Sequence, residues 1–269
     1  MLALIIQTVK KSKWSIIGYA LAGALMVWLF VSIWPTISQR GQELEKLFES
    51  YPQEVFKAFG IEGQSFLASL EGYLGGEQYS ITWQIMLLML VVSFAGGALA
   101  GEIERGTIGI LLSQPISRIK LFLGKYLAGV ILILIFVWVS ILSVVPFAEI
   151  YNAEYRLSNN VTMAILGSLF ALALFSLTMM LSALFSERSK VTLFSAGLFI
   201  SMYVINIIAA LKENLGDLKY LSLLHYFKYN DALIKNKIDP LSVMVFLGVA
   251  VVCTAVGIYW FNRRDIAAS

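Results

Sequence analysis

The chain has 269 residues, 59% of them hydrophobic and 14% charged, with a mean hydropathy of +0.79. Ordinary globular chains carry roughly 25% charged residues; here long apolar runs alternate with short charged segments, which excludes a water-soluble domain and reads as a polytopic membrane protein. One cysteine and one histidine exclude an intramolecular disulfide and the Cys/His clusters of zinc or redox motifs, and a net charge of +3 is too small to point to nucleic acid.

Residues 1–13 place Leu2, Ile5, Ile6 and Val9 at helical spacing, which predicts a short amphipathic helix lying in the membrane interface. The first spanning run, Trp14 to Trp34, follows Lys10, Lys11 and Lys13 but is far longer than the apolar core of a signal peptide, so it reads as a retained anchor. The next segment, 35–79, is too long for a plain connection. Leu44, Leu47, Phe48 and Tyr51 form a stripe within it, and Ser50 followed by Gln53 reads as a capping box, so an acidic helical cap is expected there. The second run, Ser80 to Ala100, ends in Gly97 and Gly101, a spacing that favours close helix approach.

A segment unlike a simple connector follows at 101–125. Ile108, Leu111 and Leu112 stand at i, i+3, i+4, so a short helix led by Glu102, Glu104 and Arg105 is expected to expose an apolar ridge. Pro115 ends it, because the residue before proline is pushed out of helical geometry. Ser117 is placed to cap a second helix in which Ile119, Phe122, Leu123 and Tyr126 share a face, while Arg118 and Lys125 are expected to snorkel to the headgroups. The product is a helical elbow projecting from the membrane.

The third and fourth runs are Tyr126 to Phe147 and Val161 to Phe185; between them Asn160-Val161-Thr162 matches a glycosylation sequon, though Asn160 reads equally as a helix N-cap. The fifth is Val191 to Leu211. Residues 212–240 are rich in aromatics, with Leu221, Leu224, His225 and Phe227 among Tyr220, Tyr226 and Tyr229, and fit an interfacial or re-entrant helix in which His225 is a wet interfacial residue. The sixth run is Leu241 to Phe261.

None of the six runs contains Asp, Glu, Lys or Arg. The fold class expected is therefore an all-α integral membrane protein with six transmembrane helices, an N-terminal interfacial helix and a single transmembrane domain over 1–269. The segments on the side of the termini hold 11 Lys/Arg and 4 Asp/Glu in 51 residues, against 9 and 13 in the 87 residues of the other side. By the positive-inside rule both termini are expected to be cytoplasmic. Without an ionisable group at depth, neither an ion-coupled transporter nor an intramembrane enzyme is assembled. Gly124-Lys125 is followed by Tyr126 and lacks the earlier glycine of a phosphate-cradling loop, so the chain is not its own ATPase by that motif.

The run E-x-E-R-G-T (Glu102 to Thr107), followed by L-L-S-x-P-I-S-R (Leu111 to Arg118) and Gly124-Lys125, resembles the loop between the second and third spans of permease subunits of ATP-binding-cassette transporters, in the type-2 exporter class. The six spans, the basic N-terminal helix, the enlarged first outer loop and the Leu221 to Phe227 segment are similar to that class over nearly the whole chain. The resemblance implies that Glu104 to Leu112 forms a coupling helix seated on a separate ATPase subunit, that ATP and Mg are bound by that partner and no cofactor by this chain, and that two permease copies enclose the path in the cell membrane. By position, Glu102, Glu104, Arg105, Gly106 and Thr107 match the charged lead and turn, and Ser113, Pro115, Ser117 and Arg118 match the end of the pattern; the last three serve equally well simply to turn the chain back. The Met- and aromatic-rich spans (Met86, Met89, Met179, Met180, Met202, Tyr203) lean towards an amphipathic or lipophilic cargo. A six-span channel or scaffold docking another cytosolic protein through the same elbow stays open.

Overall fold

The computed structural model describes residues 1–40, 68–113 and 116–265, with Leu112 and Glu213 described by their backbone alone. All regular structure among them is helical. Six helices are long and apolar enough to cross a membrane: Lys13–Gln39, Leu70–Ala98, Arg118–Ile150, Leu157–Leu184, Arg188–Leu211 and Pro240–Arg263, called spans 1 to 6 below. Each contains the apolar run expected at its position, apart from one or two residues at the C-terminal ends of spans 2 and 4. Span 1 runs through Pro35, and span 2 begins with Leu70–Leu74 followed by a π-helical stretch, Gly75–Thr82. The described ends of the segment expected to be a separate outer cap, 35–39 and 70–79, are thus helix belonging to spans 1 and 2; the stripe at Leu44 to Tyr51 and the capping box at Ser50 lie outside the described residues.

Span 4 is the hub. It is the most buried of the six and packs against spans 2, 3, 5 and 6. Span 1 turns only one narrow stripe inward, Ile16, Ala20, Gly23, Val27, Val31 and Trp34, spaced three or four residues apart. Spans 5 and 6 leave most of their apolar surface on the outside, as lipid contact allows.

Close helix approach falls elsewhere than at the Gly97–Gly101 pair. A Cβ added at Gly97 would meet nothing within 4 Å, whereas one at Gly129 would lie 2.2 Å from Phe175 Cζ and 2.7 Å from Phe94 Cε1. The close contact therefore belongs to span 3 where it crosses the aromatic rings of spans 2 and 4. Gly129→Ala is expected to cost roughly 1–3 kcal/mol by overpacking, read as a lower melting temperature in detergent, while Gly18→Ala, with nothing within 4 Å of the new methyl, leaves it unchanged.

At the end of the bundle opposite the elbow, residues 212–240 fold as a 3-10 stretch (Glu213–Leu221) and two short helices (Leu223–Tyr226 and Tyr229–Lys235). They dip into the bundle as a re-entrant segment: Phe227 is 2% exposed. Its ring lies 5.7 Å from Trp83 at an interplanar angle of 9° and 4.6 Å from Phe170. The Trp83 indole N–H donates to Ser140 Oγ at 2.9 Å, joining spans 2 and 3 beneath this stack. Phe227→Ala is expected to remove about 3–5 kcal/mol, seen as early unfolding in a denaturant titration. His225 sits half-buried between Tyr220 and Tyr226. Burial, then Lys219 and Lys228, hold its pKa below the usual imidazole value, against the opposing pull of Asp239; it is a neutral packed ring.

Asn160 is neither a glycosylation site nor an N-cap. It is 0% exposed and lies in the first turn of span 4, where its amide donates to Arg156 O; the helix starts four residues earlier than the apolar run.

Candidate functional site

Span 2 ends at Ala98, and Leu99 leaves helical geometry before Ala100–Glu104 resumes it. The Ala100 N–H donates to Ser182 Oγ at 3.1 Å, which pins this break to span 4. Gly106 then takes φ +70, the left-handed conformation that closes a helix C-terminus and that a side chain would strain. Ile108–Leu112 forms the second half of the elbow. Span 3 starts at Arg118 with Ser117 Oγ accepting from the Lys120 N–H, the N-cap expected from the sequence. Pro115 lies outside the described residues.

The charged lead is built differently from a solvated face. Glu102 is 8% exposed and Lys125, 23 positions later, 9%; the Lys125 ammonium donates to the Glu102 carboxylate at 3.2 Å. Lys125 therefore does not snorkel: antiparallel spans 2 and 3 bring their adjoining ends together, and the ammonium finds a carboxylate there. Arg105 stands 3.8 Å from the same carboxylate. The Thr107 hydroxyl donates to it as well, so Thr107 is half-buried and serves Glu102, without capping the helix it precedes. Burial raises the Glu102 pKa, but the Thr107 hydroxyl, Lys125 and then Arg105 outweigh it and hold the carboxyl below its ordinary range. Glu104 is exposed and accepts the backbone N–H of Arg188 at 3.0 Å, tying the elbow to the start of span 5.

The apolar ridge is rotated from expectation. Ile108 is 3% exposed and packs into the bundle core, Leu111 is half-buried against it, and Ile110 projects outward at 68% exposure. Ile108 and Leu111, at i and i+3 of the pattern, mark the face that holds the elbow onto the spans. Ser113 beside it is exposed, its hydroxyl donating to Ile110 O at 2.9 Å.

Arg118 was expected to reach the headgroups; its guanidinium instead donates to the carbonyl of Arg264. Arg264 in turn donates to the carbonyls of Ala183 at 3.0 Å and Phe185 at 2.9 Å, satisfying orphan acceptors at the end of span 4. The N-terminal helix, Leu2–Lys11, packs here too, with Leu4 over Gly124. Its inward face is Leu4 and Thr8; Leu2 and Ile6, half of the predicted stripe, point outward, because an interfacial helix meets protein on one side and lipid on the other. Elbow, N-terminal helix and residues 263–265 thus gather at one end of the bundle. The Glu102–Lys125 and Arg118–Arg264 links escaped the sequence reading. Only the first has a signal in the sequence, opposed charges at facing ends of consecutive spans.

A six-span bundle without strands among its described residues, with a tethered helical elbow after its second span, is a multi-pass membrane protein of the permease type. Residues 24–266 match the ABC-2 family transporter protein family, which spans most of the chain. The chain belongs to that family, the permease component of ABC-2 type transporters. No curated protein matches it.

Proposed function

We propose that the chain is the membrane-spanning half of an ATP-driven exporter in the cell membrane, working as two permease copies with a separate ATP-binding subunit that seats on the elbow. The observation that carries this is Ile110: a large aliphatic side chain 68% exposed, on a short helix whose neighbours are anchored, at the basic end of the bundle. The basic excess of that end supports a cytoplasmic position for elbow and termini.

Force applied at Ile108–Leu112 has two routes inward. Glu102 and Thr107 connect it to Lys125 and so to span 3; Glu104 connects it to Arg188 and so to span 5. Closure of the partner on ATP would shift both spans against the hub, span 4. ATP and Mg belong to the partner, and the cargo is amphipathic or lipophilic, matching spans lined by uncharged, Met-rich and aromatic surface.

The test is co-expression with the ATPase encoded beside it, followed by reconstitution into liposomes. Export coupled to ATP turnover by the purified pair supports the proposal. A chain that purifies alone at normal expression of both genes, and passes solutes down their gradient without ATP, is instead a channel or scaffold.

A further inference from the structure

A cavity of about 500 Å³ opens at the elbow end, between the N-terminal helix, spans 1 to 3 and the elbow. That volume lies within the roughly 300–1,000 Å³ of small-molecule sites. Its lining is divided. On one side stand four cationic side chains, Lys11, Arg105, Lys125 and Arg188, and one carboxylate, Glu102. The carboxylate is already shared by Lys125 and Arg105, so Lys11 and Arg188 form no ion pair among the described residues. Arg188 is held in place nonetheless: its Nη2 donates to Ser93 O and Oγ, both at 3.3 Å, and its Cγ lies where a Cβ on Gly96 would come within 3.2 Å. Glu104 takes the Arg188 backbone N–H and leaves the guanidinium uncompensated.

The rest of the lining includes an apolar strip. Leu90, Phe94 and Gly97 line the cavity from one face of span 2, at i, i+4 and i+7, with Ser93, which holds Arg188, beside them. At 1.5 Å per residue this face runs about 10 Å from the elbow into the bilayer. Gly97 leaves a gap in it that a side chain would fill, since a Cβ there meets nothing within 4 Å. An uncompensated guanidinium at the membrane boundary is costly unless an anion joins it, and basic pockets between spanning helices suit anionic headgroups. A soluble anion would satisfy the cations and leave the apolar strip bare.

We propose that this cavity binds an anionic phospholipid, its phosphate between Arg188, Arg105 and Lys11 and its first acyl carbons along the Leu90–Gly97 face. The site needs neither ATP nor an ATPase, so its test is independent of the coupling proposal.

The purified full-length chain in a neutral detergent is titrated with phosphatidylglycerol, with phosphatidylcholine and with inorganic phosphate, reading bound lipid by native mass spectrometry. Phosphatidylglycerol is expected to bind at least tenfold more tightly than phosphatidylcholine, with affinity falling as salt rises, and inorganic phosphate is expected not to displace it. Arg188→Gln and Lys11→Gln should each weaken it about fivefold, and Gly97→Leu should block it by filling the gap in the strip. Arg263→Gln, whose guanidinium lies 4.6 Å over the Tyr259 ring outside the cavity, should bind like the unaltered chain. Lys11 is exposed, so Lys11→Gln remains informative if Arg188→Gln does not fold. Equal binding of the two lipids, undiminished binding by Lys11→Gln and Gly97→Leu, or displacement by inorganic phosphate would overturn the proposal.

Discussion

Ile110→Asp is expected to release the ATP-binding subunit while insertion and folding of the chain stay normal. Full burial of an isoleucine contributes roughly 1.5–3 kcal/mol, and an aspartate in its place adds the cost of a desolvated, unpaired carboxylate. A loss of about 3 kcal/mol per contact corresponds to roughly a 150-fold weaker complex, and the assembly has two such contacts. Because Ile110 is 68% exposed in the permease, its replacement removes no contact within the bundle. Ile108→Asp is the contrasting substitution. At 3% exposure it puts a carboxylate into the core, and the variant should fail to fold before coupling can be asked about. Leu111→Asp falls between, losing both packing and partner. Co-purification from detergent extract separates the three: Ile110→Asp gives a monodisperse permease without ATPase, and Ile108→Asp gives aggregate.

Glu102→Gln is expected to have the largest effect on the permease itself. It leaves Lys125 buried without its carboxylate, and breaking a buried pair by removing one partner costs about 3–5 kcal/mol. The sign with pH follows from the carboxyl's lowered pKa. Its stabilisation is fully present above the unfolded value of about 4.3 and is lost as pH falls through the lower folded value. The melting temperature of the unaltered chain should therefore hold from pH 7 to 5 and drop below 4, and that part of the drop should vanish in Glu102→Gln. Glu102→Gln combined with Lys125→Met should recover much of the loss, since an uncharged pair leaves no orphan ammonium. Equal stability of all three proteins at pH 7 would mean that the pair is not buried as described.

The spans were legible because an apolar run of some 20 residues without charge has few other structural meanings. Their ends were less so. Residues 70–79 contain Gly75, Gly76 and Glu77, which read as loop by composition; buried neighbours in the re-entrant segment hold them in a wide helical turn instead. The elbow was found by its Glu102 to Arg118 pattern, and Ser117 caps as expected because capping is local chemistry. Which side of Ile108–Leu112 faces out was misread, because periodicity marks an apolar face without saying what covers it. The same ambiguity turned Leu2 and Ile6 outward while Leu4 went in. Lys125 was misassigned because the sequence shows a lysine beside a span and cannot show that Glu102 lies across from it. Long-range pairs such as Arg118 with the Arg264 carbonyl carry no local signature at all.

The central claim is that the partner ATPase sits on Ile110. The direct measurement is site-specific cross-linking in the co-purified complex, with Ile110→Cys in a Cys253→Ala background and a short bifunctional reagent reacting with the ATPase. Cys253 is buried in span 6, so its removal leaves the elbow alone. A permease–ATPase adduct from Ile110→Cys, and none from Leu193→Cys on the exposed surface of span 5, is the result expected. An adduct absent from Ile110→Cys in a complex that remains intact would contradict the account.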